Sequence, residues 1–234
     1  MKKIGLLGGM GWYSTYLYYQ KINKYINRIR NRQINPEIIV YSANFEELAK
    51  LLENDDWVGI AEILIPKAVQ IEQAGADFLV ITSNTMHKIK DEIQKNIDIP
   101  ILSIIDVVGK NLKKTWCKRP GLLATKYLIK ENFYQDRLEK EFAQKVITPA
   151  PREIEELNNI IVNELVCNDV NVGSRYYINS IIDNLMYKDV DAIILGCAEF
   201  SSLIDIIAAK EVRIIDSLEL HVRKIVHYTL RKNL

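Results

Sequence analysis

The feature that most constrains this 234-residue chain is an order of elements that occurs twice. Short apolar runs alternate with longer segments of helical period, the pattern of a parallel sheet covered by helices on both faces. Candidate strands lie at 4–7, 38–41, 78–82, 101–104, 121–124, 145–148, 192–195 and 213–215, with helical periodicity at 14–31, 57–73, 126–142, 154–166, 174–186 and 218–229. Gly5-Leu6-Leu7 returns 116 positions later as Gly121-Leu122-Leu123, Asp77 to Ser83 returns 114 later as Asp191 to Cys197, and Ile101-Leu102-Ser103 returns 113 later as Ile214-Ile215-Asp216. Same order at a near-constant offset is the mark of a duplicated unit. The expected fold class is therefore α/β, in two pseudo-symmetric lobes, each a parallel-type sheet flanked by helices, with the active site in the cleft between them. The first lobe is expected over 1–105 plus 217–234 and the second over 106–216, so that the chain passes between lobes twice.

The duplication makes Ser83 and Cys197 equivalent. Each directly follows an apolar strand and so stands at its carboxyl end, the edge where open α/β sheets bind ligands. One small acid/base or nucleophilic side chain from each lobe suits chemistry on both faces of one carbon. Three other stretches gather at the same kind of edge. Gly8-Gly9-Met10-Gly11 follows the first strand and opens a helix, a turn whose backbone N–H groups suit an anion such as a carboxylate. Its spacing is not that of a dinucleotide loop, because Ser14 stands at the third glycine position. Ser83-Asn84-Thr85-Met86-His87 offers three consecutive hydrogen-bonding side chains where one helix cap would need a single one. Gly196-Cys197-Ala198-Glu199 places a thiol at a strand-to-helix turn, where a helix N-terminus lowers its pKa from about 8.5 toward neutrality. Glu199 either caps that turn or holds a substrate ammonium group.

Composition removes other classes. Lys plus Arg number 31 and Asp plus Glu 30, a net charge of +1, so no general field draws in nucleic acid or an anionic membrane. The basic run from Lys113 to Arg119 reads as a solvated connection. Cys117, Cys167 and Cys197 have no paired spacing, which argues against a disulfide framework or a structural zinc. His87 and His221 lack ligand spacing and read as hydrogen-bonded structural residues, at most orienters of a cysteine. The run before Gly8 is too short for a signal h-region and no run approaches a membrane span, so the expected location is the cytoplasm. Trp12, Tyr16 and Tyr19 form a stripe on the first helix that suits either core or a dimer interface.

Taken together, Gly8-Gly9-Met10-Gly11 with Ser14-Thr15, Asn84-Thr85-Met86-His87, Gly121 to Thr125, Ser174-Arg175 and Gly196-Cys197-Ala198-Glu199 resemble the aspartate/glutamate racemase family of cofactor-independent amino-acid racemases. The resemblance runs through nearly the whole chain. It implies a two-lobed α/β fold, a homodimer, a small-molecule amino-acid substrate, and neither pyridoxal phosphate nor metal. Standard members carry cysteine at both strand ends. Here the first is Ser83, and the usual Gly-Cys-Thr-Glu has Ala198 for threonine. The implied chemistry is racemisation of aspartate or glutamate by α-proton abstraction and reprotonation from opposite faces, with Cys197 and Ser83 as the two catalytic groups and unequal rates in the two directions. Gly9, Met10, Gly11, Ser14, Asn84, Thr85 and Thr125 are assigned to the α-carboxylate, Glu199 to the substrate as well, and Arg175 or Lys126 to the distal carboxylate. The alternatives are a single-thiol decarboxylase-like lyase of the same superfamily and a catalytically inactive amino-acid-binding relative.

Overall fold

A computed structural model describes residues 1–203 and 211–230, with Ser202 described by its backbone alone. The chain forms two compact units, Met1–Ser103 with His221–Leu234, and Ile104–Leu220. The first contains β1 (Ile4–Gly8), α1 (Trp12–Arg30), β2 (Ile38–Ser42), α2 (Phe45–Glu53), α3 (Trp57–Gln73), β3 (Phe78–Ile81), a 3₁₀ turn (Thr85–Ile89) and α4 (Lys90–Gln94). The second contains α5 (Ile104–Lys114), β4 (Pro120–Leu123), α6 (Lys126–Lys130), α7 (Phe133–Phe142), α8 (Pro151–Ile160), a π turn (Ile161–Leu165), α9 (Val172–Met186), β5 (Ala192–Leu195), a 3₁₀ turn (Ala198–Leu203) and β6 (Arg213–Asp216). α10 (Ser217–Leu230) begins in the second unit and continues into the first. Among the described residues no helix is long and apolar enough to cross a membrane.

Both sheets are parallel, in the order β2-β1-β3 and β4-β5-β6. β1, β3, β4 and β5 are buried at every residue, as strands covered on both faces must be, and that is why they read as unbroken apolar runs. β2 has exposed and half-buried residues, fitting an edge. The runs at 101–104 and 145–148 shrink to single parallel bridges, Leu79 with Ile101 and Gly121 with Ile147. These bridges complete the duplication: β2, β1, β3 and Ile101 in one unit correspond in order to Ile147, β4, β5 and β6 in the other.

The helices depart from the sequence reading where local chemistry intervenes. The single helix expected over 126–142 is two, because Asn132 takes a left-handed conformation (φ 55°) that a helix interior cannot hold. α8 begins three residues before the periodicity suggested, with Pro151 at its first position and the Glu153 carboxylate accepting from the Ala150 N–H at 2.7 Å. Trp12, Tyr16 and Tyr19 are exposed on α1, so the core reading of that stripe falls.

Candidate active site

In the first unit the glycine turn after β1 is held by the protein's own hydroxyls. Gly9 has φ +86°, and a Cβ there would fall on the backbone of Ala43, so only glycine suits the position. The Gly9 N–H donates to Thr15 Oγ1 at 2.9 Å, and Ser14 Oγ donates to the Thr82 carbonyl at 2.7 Å. Thr15 Oγ1 also lies 3.1 Å from Thr82 Oγ1. The Gly9 amide and the Ser14 proton, both assigned to a substrate carboxylate from sequence, are thus engaged in clasping the start of α1 to the end of β3. Met10 is buried and Gly11 is the N-terminal boundary of α1, without a side-chain cap. The clasp residues Thr15 and Thr82 had no assigned role in the sequence reading, although the hydroxyl-rich run from Thr82 to Thr85 was a visible signal.

Ser83 is half-buried just past β3, and its Oγ accepts from the Met86 N–H at 3.4 Å. Asn84 and Thr85 are buried, and the Asn84 side chain does not cap the turn that follows it. Capping therefore falls to Ser83, not to the amide. His87 Nδ1 lies 2.7 Å from the Ser83 carbonyl, and its ring meets that of His221 edge-on at 6.1 Å. His221 is fully buried: its Nε2–H donates to the Leu102 carbonyl at 2.9 Å, and its Nδ1 then accepts from the Tyr18 hydroxyl at 2.8 Å. Burial, and the neighbouring His87, push its pKa down to about 3, so the imidazole is neutral. Both histidines are hydrogen-bonded structural groups of the first unit.

In the second unit Gly196 lets the chain leave β5 close against β4. Its N–H donates to the Leu123 carbonyl at 2.7 Å, and a Cβ would press on Leu122, Ala124 and Leu123 O. Cys197 and Glu199 follow, both buried, and the thiol donates to Glu199 Oε2 at 2.9 Å. Burial first, and the Glu199 charge second, raise the thiol pKa well above its ordinary value, and burial also raises that of Glu199. This reverses the sequence expectation of a lowered thiol pKa. The turn after Cys197 is a six-residue 3₁₀ segment, whose weak dipole is outweighed by desolvation and a carboxylate in contact. Neighbouring groups fix the edge: Ser217 Oγ donates to Leu195 O at 2.6 Å, and Asp216 accepts from Ser201 Oγ at 2.7 Å and from the Glu219 N–H at 3.0 Å. Asp216 was not singled out from sequence, though an acid directly after Ile214-Ile215 was its signal.

The remaining assigned residues of this unit have structural partners. Thr125 caps α6, its Oγ1 accepting from the Leu128 N–H at 3.3 Å. Lys126 pairs with Glu155 at 3.2 Å. Arg175 is exposed on α9 and its Nε donates to Val170 O at 3.2 Å, while Ser174 Oγ and the Asn171 N–H donate to the Glu164 carboxylate at 2.7 and 2.9 Å. The Ser-Arg pair thus anchors the loop after the π turn. A cavity of about 540 Å³ lies beside α8 and α9, lined by Arg152, Glu156, Asn171 and Tyr177 among others, and none of Cys197, Glu199 or Thr125 lines it.

Comparison with known proteins shows the family. A family model described as Asp/Glu/Hydantoin racemase matches residues 7–225. The chain is 27% identical over 222 residues to the broad specificity amino-acid racemase RacX of Bacillus subtilis (strain 168), covering 92% of each. Among solved structures it resembles a Yersinia pestis protein assigned as an Asp/Glu racemase, with a TM-score of 0.89 and 33% identity over 99% of this chain and 100% of that one. An aspartate racemase homologue from Pyrococcus horikoshii OT3 matches with a TM-score of 0.80 and 34% identity over the same shares.

Proposed function

Because the chain belongs to the Asp/Glu/hydantoin racemase family, we propose that it interconverts the enantiomers of an acidic amino acid, aspartate or glutamate, without a cofactor, by proton transfer at the α-carbon. The observation that carries this reading is the equivalence of Ser83 and Cys197, each two residues beyond the carboxyl end of a buried parallel strand, β3 in one unit and β5 in the other. Removing a weakly acidic α-proton without an electron sink requires donors preorganised around the substrate carboxylate. Asn84 and Thr85, buried and beside Ser83, suit that task best. Gly9 and Ser14 support them indirectly by fixing the turn.

Cys197 takes or gives the proton on one face and Ser83 on the other. A serine hydroxyl gives a proton to a carbanion more readily than its alkoxide can be generated to remove one, because its own proton is held tightly. Abstraction by Cys197 and reprotonation by Ser83 is therefore the direction of higher kcat, with KM higher in proportion because enantiomers are equal in energy. The test is α-proton exchange in D₂O on L- and D-aspartate and L- and D-glutamate, with purified protein and no added cofactor, followed by NMR and chiral chromatography. Exchange with inversion, with the higher kcat from one enantiomer, is expected. Loss of carbon dioxide, or tight binding with no exchange from any of the four, would replace the racemase reading with that of a single-thiol lyase or a binding relative.

A further inference from the structure

The net charge of +1 describes the chain as a whole, whereas a partner at the surface meets only the charges within a Debye length, about 8 Å at physiological ionic strength. We propose that the amino edge of the second unit's sheet docks on an anionic lipid membrane, seating Trp116 and Tyr187 among the headgroups and setting the lysines around Trp116 against their charge. The edge that carries Cys197 lies at the other ends of the same parallel strands, so docking leaves it clear. The proposal stands apart from the racemase reading.

Three segments build this edge. α5 ends at Lys114 ahead of β4, α9 ends at Met186 ahead of β5, and Arg213 opens β6. Hydrogen bonds sew them together: Asp191 accepts from the Lys118 and Arg119 N–H groups at 2.6 and 3.1 Å, Arg119 Nη2 donates to Lys188 O at 2.9 Å, and Arg213 Nη1 donates to Thr115 O at 2.6 Å. Lys110, Lys113, Lys114 and Lys118 are exposed, and among the described residues no carboxylate pairs with any of them. The carboxylates at this edge are Asp189, Asp191 and Glu211, of which Asp191 is occupied by the two N–H groups, so cations outnumber them.

Trp116 stands where the fold has no use for it. The Cys117 N–H donates to Leu112 O at 3.2 Å and the Trp116 N–H to Lys113 O at 3.4 Å, the paired bonds of a helix that ends on a left-handed residue, and Trp116 is that residue at φ 57°. Glycine is the ordinary occupant of the position. A bulky side chain there costs stability, and because Trp116 is 85% exposed, packing returns little of it. Tyr187, 88% exposed, closes α9 on the same edge. Rings with one polar atom, held out in water beside lysines, match the headgroup layer of an anionic membrane. Nucleic acid would also attract the lysines, but arginine is the side chain that forks onto phosphates and bases, and Arg119 and Arg213 both turn to protein carbonyls. The equivalent edge of the first unit lacks this combination among the described residues. Gln73 and Ala74 stand where the offset of 114 places Tyr187 and Lys188, Lys3 pairs with Glu37 at 3.1 Å, and Lys2 Nζ lies over the Tyr228 ring.

The test is co-sedimentation of the whole protein with vesicles of phosphatidylcholine alone and of phosphatidylcholine with phosphatidylglycerol, at low and high salt, with duplex DNA as a rival probe. Binding to the anionic vesicles only, weakening as salt rises, is expected. A lysine near such a surface is worth about fivefold in partition, so Lys113→Gln combined with Lys114→Gln should weaken binding by about 25-fold. Lys24→Gln combined with Lys95→Gln removes the same charge from exposed sites of the first unit and should change binding by less than about twofold. Trp116→Gly should weaken binding by about tenfold with no fall in the melting temperature, since glycine suits the position better. Equal sedimentation with both kinds of vesicle or with neither, an equal loss in the two lysine pairs, or a Trp116→Gly variant that binds as the wild type does overturns the proposal. So does duplex DNA held more tightly than the anionic vesicles through the same lysines, which would give this edge to nucleic acid.

Discussion

His221 gives the most quantitative prediction. It is fully buried between the Tyr18 hydroxyl and the Leu102 carbonyl, and its pKa in the folded chain is about 3. In the unfolded chain an ordinary histidine titrates near 6.5. The folded pKa is the lower, so the stability this site supplies is fully present above about pH 6.5 and is lost as pH falls toward 3, while the unfolded chain gains a proton that the fold refuses. The slope is about 1.4 kcal/mol per pH unit within that window, which makes the loss about 2 kcal/mol between pH 7 and pH 5. His221→Gln keeps an acceptor for Tyr18 and a donor for Leu102 but cannot take up a proton. Urea unfolding of both proteins at the two pH values isolates the contribution, since other titrating groups cancel in the difference. The wild type should lose about 2 kcal/mol more than the variant on acidification, a sizeable fraction of a typical total of 5–15. Equal losses in the two proteins, or an imidazole NMR titration of His221 near 6.5, would refute the reasoning.

Two further outcomes follow from single positions. Ser83→Cys places a thiol at both strand ends and should raise the kcat of the slower direction of racemisation by at least about tenfold, bringing the two kcat values closer, as read at saturating concentrations of each enantiomer. Gly9→Ala forces a Cβ onto the Ala43 backbone at φ +86° and should cost roughly 3 kcal/mol, lowering the melting temperature by about 10 °C in calorimetry.

The positions of the strands were legible because buried parallel strands leave continuous apolar runs, and β1, β3, β4 and β5 are buried throughout. Where apolar letters serve two elements the reading overshot. Ile104 closes the run at 101–104 but opens α5, leaving only Ile101 to bridge. The break at Asn132 was illegible because asparagine's left-handed conformation depends on context, and the apolar period continues across it. At the site the placement of Cys197 and Ser83 could be read, whereas the partners of polar groups could not. Nothing in the letters says that Thr15 takes the Gly9 N–H, or that Glu199 turns back onto the thiol two residues before it.

Those partners bear on the direction of catalysis. The two strand ends occupy corresponding positions in their sheets, so any asymmetry must come from the side chains and what touches them. At Ser83 the contact is an N–H donor, from Met86, which stabilises negative charge on the oxygen and so eases the loss of its proton to a carbanion. At Cys197 the contact is a carboxylate, which opposes negative charge on sulfur but offers a place for the thiol proton to go. One end is set up to release a proton and the other to accept one. On that account the Ser83→Cys exchange alone would not equalise the two kcat values, because a thiol at position 83 would still face Met86 and lack a carboxylate in contact; the residual inequality measured in that variant is the share of the asymmetry that belongs to the partners.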